Sequence, residues 1–124
     1  SNFRDRQRKH QRYSLKCPGS FAIDREINSE VFELRVVELS GDGFLAYSKA
    51  AIPMNAWGDA TIRLGDAERS TLKAMVVRGT FKGSHGFYGF KLASPDLPWR
   101  KLVSALKSGT THDDLENATR FLQD

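Results

Sequence analysis

The densest charge in this 124-residue chain lies in one stretch, Arg4-Asp5-Arg6-Gln7-Arg8-Lys9-His10-Gln11-Arg12. Five of the 19 Lys and Arg residues fall in the first twelve positions against one acid, Asp5, which leaves 14 of each sign in the rest. The formal charge of +4 therefore belongs to this arm, and the body behind it is neutral. That arrangement suits one localised anionic partner better than a broad phosphate-tracking face. Arginine dominates the arm, and its planar fork can hold a phosphate through two parallel hydrogen bonds or lie flat on a purine. Taken alone, the arm is equally compatible with a solvated charge run near a chain end.

The other reactive residue types form no catalytic pattern. His10, His85 and His112 lack metal-ligand spacing and read as surface histidines. Cys17, the only cysteine, alternates with Leu15 on an apolar face and reads as buried and structural; with no possible internal disulfide it fits a reducing compartment. Gly83-Ser84-His85-Gly86 resembles a GxxG nucleic-acid loop but sits where a hairpin turn is expected. No carboxylate pair, phosphate loop or Ser/His/Asp set stands out, so a non-enzymatic role is expected.

The elements that must position these residues read as short strands. Residues 13–23 alternate and are interrupted by Pro18-Gly19, which predicts a strand bent or bulged at Pro18. In residues 30–39, Phe32, Leu34 and Val36 share one face, with Val31 and Val37 on the other. Ser40-Gly41-Asp42-Gly43 predicts a tight turn whose two glycines can take positive φ, and residues 44–47 return as a third strand. Residues 60–64, 72–81 and 88–92 complete six strands joined by hairpin signals, the pattern of an antiparallel sheet closed into a barrel. The end turns helical. Asp96 is placed to cap a helix from Leu97 or Pro98 that Gly109 stops, and residues 113–123 suggest a second helix. Trp57 and Trp99 read as barrel-rim and helix packing.

Arg8 and Arg12, four apart just ahead of the first strand, and Glu38-Leu39-Ser40-Gly41-Asp42-Gly43 after the second, resemble the two signatures of the PilZ family of cyclic di-GMP receptors. Those signatures are an R-x-x-x-R arm and a [D/N]-x-S-x-x-G turn. The resemblance spans nearly the whole chain and implies a six-stranded antiparallel β-barrel followed by one or two α-helices. It also implies a ligand site made of Arg8, Arg12, Glu38, Ser40 and Gly43. The arginines would meet phosphate or the N7/O6 edge of guanine. Ser40 would offer a hydroxyl, and Gly43 would admit close backbone approach. The chain departs from the pattern in having Glu38 where the family has Asp or Asn, and Gln7 where relatives often carry a further basic residue.

The expected organisation is a basic arm (1–12), a barrel (13–94) and a helical segment of the same domain (95–124). The expected role is a cytoplasmic second-messenger receptor that needs no cofactor and relays its signal to a fused domain or protein partner. Nucleic acid is not an expected partner, since the strand aromatics read as core. Neither is direct membrane insertion, since the apolar runs are only a few residues long and no secretory signal is visible. The alternative is a degenerate PilZ-type module that binds no nucleotide and docks a protein through its C-terminal helices.

Overall fold

The computed structural model describes residues 11–24, 30–64, 67–68 and 72–107. Within them run β1 (Arg12–Ile23), β2 (Val31–Ser40), β3 (Gly43–Ser48), β4 (Trp57–Leu64), β5 (Ala67–Glu68), β6 (Leu72–Lys82), β7 (His85–Leu92) and one helix, α1 (Leu97–Lys107). All strand pairings are antiparallel, in the order β1-β2-β3-β7-β6-β4. A further β1–β4 pairing, Gly19 opposite Ile62 through Ile23 opposite Gly58, joins the two ends. Six strands thus form a ring closed by that pairing, as expected from the sequence. The two-residue β5 is an addition, paired to the end of β4.

Strand alternation turns one set of side chains inward. Leu15, Phe21, Val36, Val76 and Phe90 are buried there, with Phe44 stacked on Phe90 at 4.6 Å and Phe21 edge-on to Phe90 at 5.0 Å. The Tyr88 hydroxyl donates to the Ala50 carbonyl and accepts from the Ile52 amide, tying the β3–β4 connection to the ring. At Gly83, with φ 65°, the β6–β7 hairpin makes its two-residue turn.

Two expectations need correction. The bulge in β1 lies between Ser14 and Cys17, whereas Pro18 stands in register opposite Arg35. Pairing of β1 with β4 begins only at Gly19, so the missing N–H of Pro18 interrupts no ladder on that side. Also, neither Gly41 nor Gly43 has positive φ; Gly83 is the glycine that does among the described residues.

In α1, Asp96 caps as expected, its Oδ1 accepting the Trp99 amide at 3.0 Å. The helix turns Trp99, Leu102 and Leu106 inward, and Trp99 lies beside Phe44 at 6.3 Å. α1 thereby plugs the end of the ring where β2 stops. The expected second helix and the Gly109 stop lie outside the described residues. No helix among the described residues is long and apolar enough to cross a membrane.

Candidate functional site

Strand register decides where the chemistry-bearing residues meet. Arg12 stands opposite Ser40, Ser40 opposite Gly43, and Gly43 opposite Lys91, a row across β1, β2, β3 and β7. One step along, Ser14, Glu38, Leu45, Gly89 and Arg78 form a second row that reaches β6. The row between them, Tyr13, Leu39, Phe44 and Phe90, faces the core. The candidate residues therefore sit on the outer rim of the ring, beside the end that α1 closes.

Bulges set this phase. Val36 pairs with Ala46 and Glu38 with Leu45, so Val37 is an extra residue in β2. Were Val37 a regular strand position, Leu39 would point outward and Glu38 into the apolar core, where an unpaired carboxylate is costly. A matching extra residue, Val77 in β6, puts Arg78 opposite Gly89.

Four of the five residues expected from the sequence come together: Arg12, Glu38, Ser40 and Gly43 all line one cavity of about 170 Å³. Arg8 lies outside the described residues. Arg12 Nη1 is 3.7 Å from Glu38 Oε1, with both side chains about one-third exposed. Glu38 Oε1 is itself buried and has no hydrogen-bond partner. An ion pair this long and this wet is worth roughly 0–1 kcal/mol, so it orients the two groups without locking them.

Ser40 is nearly buried. Its hydroxyl faces Asp42 Oδ1 at 3.1 Å and the Gly43 carbonyl at 3.3 Å, and its own carbonyl accepts the indole N–H of Trp99 at 2.9 Å. The amide of Leu92 donates to the Asp42 carbonyl at 2.8 Å. The turn is thus fixed from within, from α1 and from β7. A Cβ on Gly43 would lie 2.1 Å from the carbonyl oxygen of Phe90, so glycine is dictated by the closeness of β7.

Sequence reasoning missed Arg78, Lys91 and Asp42 as further lining residues. Lys91 was legible as the outward position between Phe90 and Leu92. Arg78 was not, because the bulge at Val77 breaks the alternation that would have placed it. Trp99 does not line this cavity; it is fully buried, packs as expected from the helix, and acts on the site through Ser40.

Cys17 is buried on the inner face, and burial pushes its thiol up to about 12 against the opposing pull of Arg35, so it is no nucleophile. Among the described residues no His, Cys, Asp and Glu side chains cluster as a metal site.

This ring of six antiparallel strands followed by a helix is the PilZ fold. No protein-family model matches the chain, and no curated protein sequence does. Among solved structures it is similar to the PilZ domain of YcgR from Escherichia coli with c-di-GMP: 13% identity, 83% of this chain, 93% of that one, TM-score 0.61. It is also similar to YcgR from Escherichia coli in complex with c-di-GMP: 14% identity, 92% of this chain, TM-score 0.65. The match covers 50% of that longer protein. At these identities the likeness establishes the fold; the ligand must be argued from this chain's own residues.

Proposed function

We propose that this chain is a receptor domain for cyclic di-GMP, a binding module rather than an enzyme. One observation carries the reading. The arginine that ends the basic arm and the Glu38–Gly43 corner share one outer rim of a PilZ-type ring, around a common cavity. Cyclic di-GMP carries two phosphodiester anions and two guanines. Arg12 would offer its fork to a phosphate or to guanine N7 and O6, contacts worth about 1–3 kcal/mol when bidentate. That exceeds what the Arg12–Glu38 pair is worth, so the ligand can draw Arg12 away.

The Glu38 carboxylate, then released, would accept from guanine N1–H and N2–H₂. Ser40 and Gly43 would hold the corner in shape. At about 170 Å³ the cavity is smaller than the usual ~300–1,000 Å³ ligand pocket. It is a floor, and Arg8, one helical turn's worth of sequence before Arg12, would come from the arm to cover the ligand. Engagement of that arm with the ligand would be the signal passed to a fused domain or partner.

Calorimetric titration with cyclic di-GMP tests this. Arg8→Ala and Arg12→Ala should each weaken binding about tenfold or more, while Glu38→Asp should keep or improve it. Unchanged affinity in both arginine variants would refute the assignment.

A second reading, a degenerate module that binds no nucleotide, draws on the Arg12–Glu38 contact and on the inward-facing Ser40 hydroxyl. It predicts no binding heat, and a protein partner lost on deleting residues 110–124. The apolar face of α1 is already used inside this fold, so α1 would not supply the docking surface.

A further inference from the structure

Two cations on the rim belong to neither sequence motif. Arg78 and Lys91 are exposed, and no carboxylate among the described residues pairs with either. Lys73, by contrast, is held by Asp24 at 2.7 Å and Asp59 at 2.9 Å; what sets Arg78 and Lys91 apart from the other exposed lysines and arginines is that they line the cavity that Arg12 lines. Three cations, Arg12, Arg78 and Lys91, share the cavity with two carboxylates, Glu38 and Asp42, so the site carries an excess of positive charge that an arriving anion would offset.

Gly89 shows where Arg78 lies. A Cβ on Gly89 would be 3.4 Å from both Cβ and Nε of Arg78 and 3.7 Å from its Nη2. The arginine side chain thus runs across bare β7 backbone, over space that a side chain larger than alanine at position 89 would occupy. That path leads from β6 toward Leu45 on β3, into the cavity that Arg12 lines from the other side. Leu45 and Val77 add apolar surface to the same cavity.

We propose that Arg78 and Lys91 form a second anion-holding edge of the site, facing Arg12, and that Gly89 is what lets Arg78 reach it. Round the other side of the ring β4 alone stands between β1 and β6, so the two edges are about two strand spacings, roughly 10 Å, apart before the side chains lean inward. Two edges so separated suit a ligand whose two phosphates are held apart by a rigid ring, one phosphate to each edge. The apolar surface between them suits a base. This deepens, and rests on, the reading of the site as a receptor for cyclic di-GMP.

The test is calorimetry with cyclic di-GMP on the whole chain and on Arg78→Ala, Arg78→Lys, Lys91→Ala and Gly89→Val. Arg78→Ala should weaken binding about tenfold or more, and Lys91→Ala by a smaller factor. Arg78→Lys should recover part of the loss, because charge survives without the fork. Gly89→Val, whose side chain would occupy the arginine's path, should mimic Arg78→Ala with its arginine intact. Thermal unfolding of the exposed Arg78 and Lys91 variants should match wild type. Wild-type binding with an Arg78→Ala affinity within about twofold would overturn the second edge alone. Absence of wild-type binding would overturn the receptor reading, and the second edge with it.

Discussion

Gly43→Ala separates what the turn glycine does for the sheet from what it would do for a ligand. The new Cβ would lie 2.1 Å from Phe90 O, 3.2 Å from Phe90 C and 3.4 Å from Lys91 Cα, all backbone atoms of β7. To restore a contact of about 3.2 Å, β3 and β7 must part by roughly 1 Å at this point, the scale of distortion that overpacking costs about 1–3 kcal/mol to absorb. The shift also strains the turn's own ladder bond from the Leu92 amide to the Asp42 carbonyl, 2.8 Å long, worth about 1 kcal/mol. Restricting the unfolded chain returns about 0.4–1 kcal/mol. The net expectation is a loss of about 2–3 kcal/mol, or roughly 10 °C in Tm for a chain of this size. Gly89→Ala is the internal control: its Cβ meets only the flexible Arg78 side chain, at 3.4 Å, and should cost about 1 kcal/mol or less. Urea unfolding followed by tryptophan fluorescence reports both, since Trp99 is buried and moves into water. Gly43→Ala within about 0.5 kcal/mol of wild type would refute the claim that β7 dictates this glycine.

Two further outcomes follow from single groups. Trp99→Phe removes the indole donor from the buried Ser40 carbonyl and should cost about 1–3 kcal/mol in urea unfolding; an unchanged midpoint would mean water replaces that bond. Cys17 has its folded-state pKa raised from about 9 to about 12 by burial. A raised pKa means the folded state holds the proton longer, so stability is full below pH 9 and falls as pH rises toward 12, by about 1.4 kcal/mol per unit. Lys73, raised by its hydrogen bonds to Asp24 and Asp59, loses its contribution as pH climbs through its own raised pKa. The informative comparison is therefore wild type against Cys17→Ala, which share Lys73. Wild type should lose about 1 kcal/mol more between pH 9 and 10, and parallel profiles would refute the burial argument.

The ring was legible because period-2 alternation survives in most strands: Phe32, Leu34 and Val36, or Tyr88, Phe90 and Leu92, all point where their spacing puts them. The bulges in β2 and β6 were not legible, and the one in β1 was legible but placed at Pro18 instead of between Ser14 and Cys17. A bulge is one extra residue whose position depends on the partner strand, and β2 shows why: Val37 looks like an ordinary outward valine until Ala46 and Leu45 fix its register. The consequence falls on the site, since bulges phase Glu38 and Arg78. Arg12, Glu38, Ser40 and Gly43 could be named from motif order, whereas the Trp99 hold on Ser40 spans 59 residues and leaves no local trace.

The two halves of the motif therefore carry different information. Ser40 and Gly43 face each other across a two-residue turn, bonded to each other, to α1 through Trp99 and to β7 through its backbone. A chain of this fold needs that corner whether or not anything binds. Arg12 and Glu38, by contrast, are outward and hold each other only loosely, and Arg78 and Lys91 hold no carboxylate among the described residues. The bonds that hold the serine–glycine corner involve none of those four charges, so their placement around one cavity is the part of the sequence that a ligand would explain. A relative with the serine–glycine corner but neutral residues at these four positions should fold equally well and bind no dinucleotide.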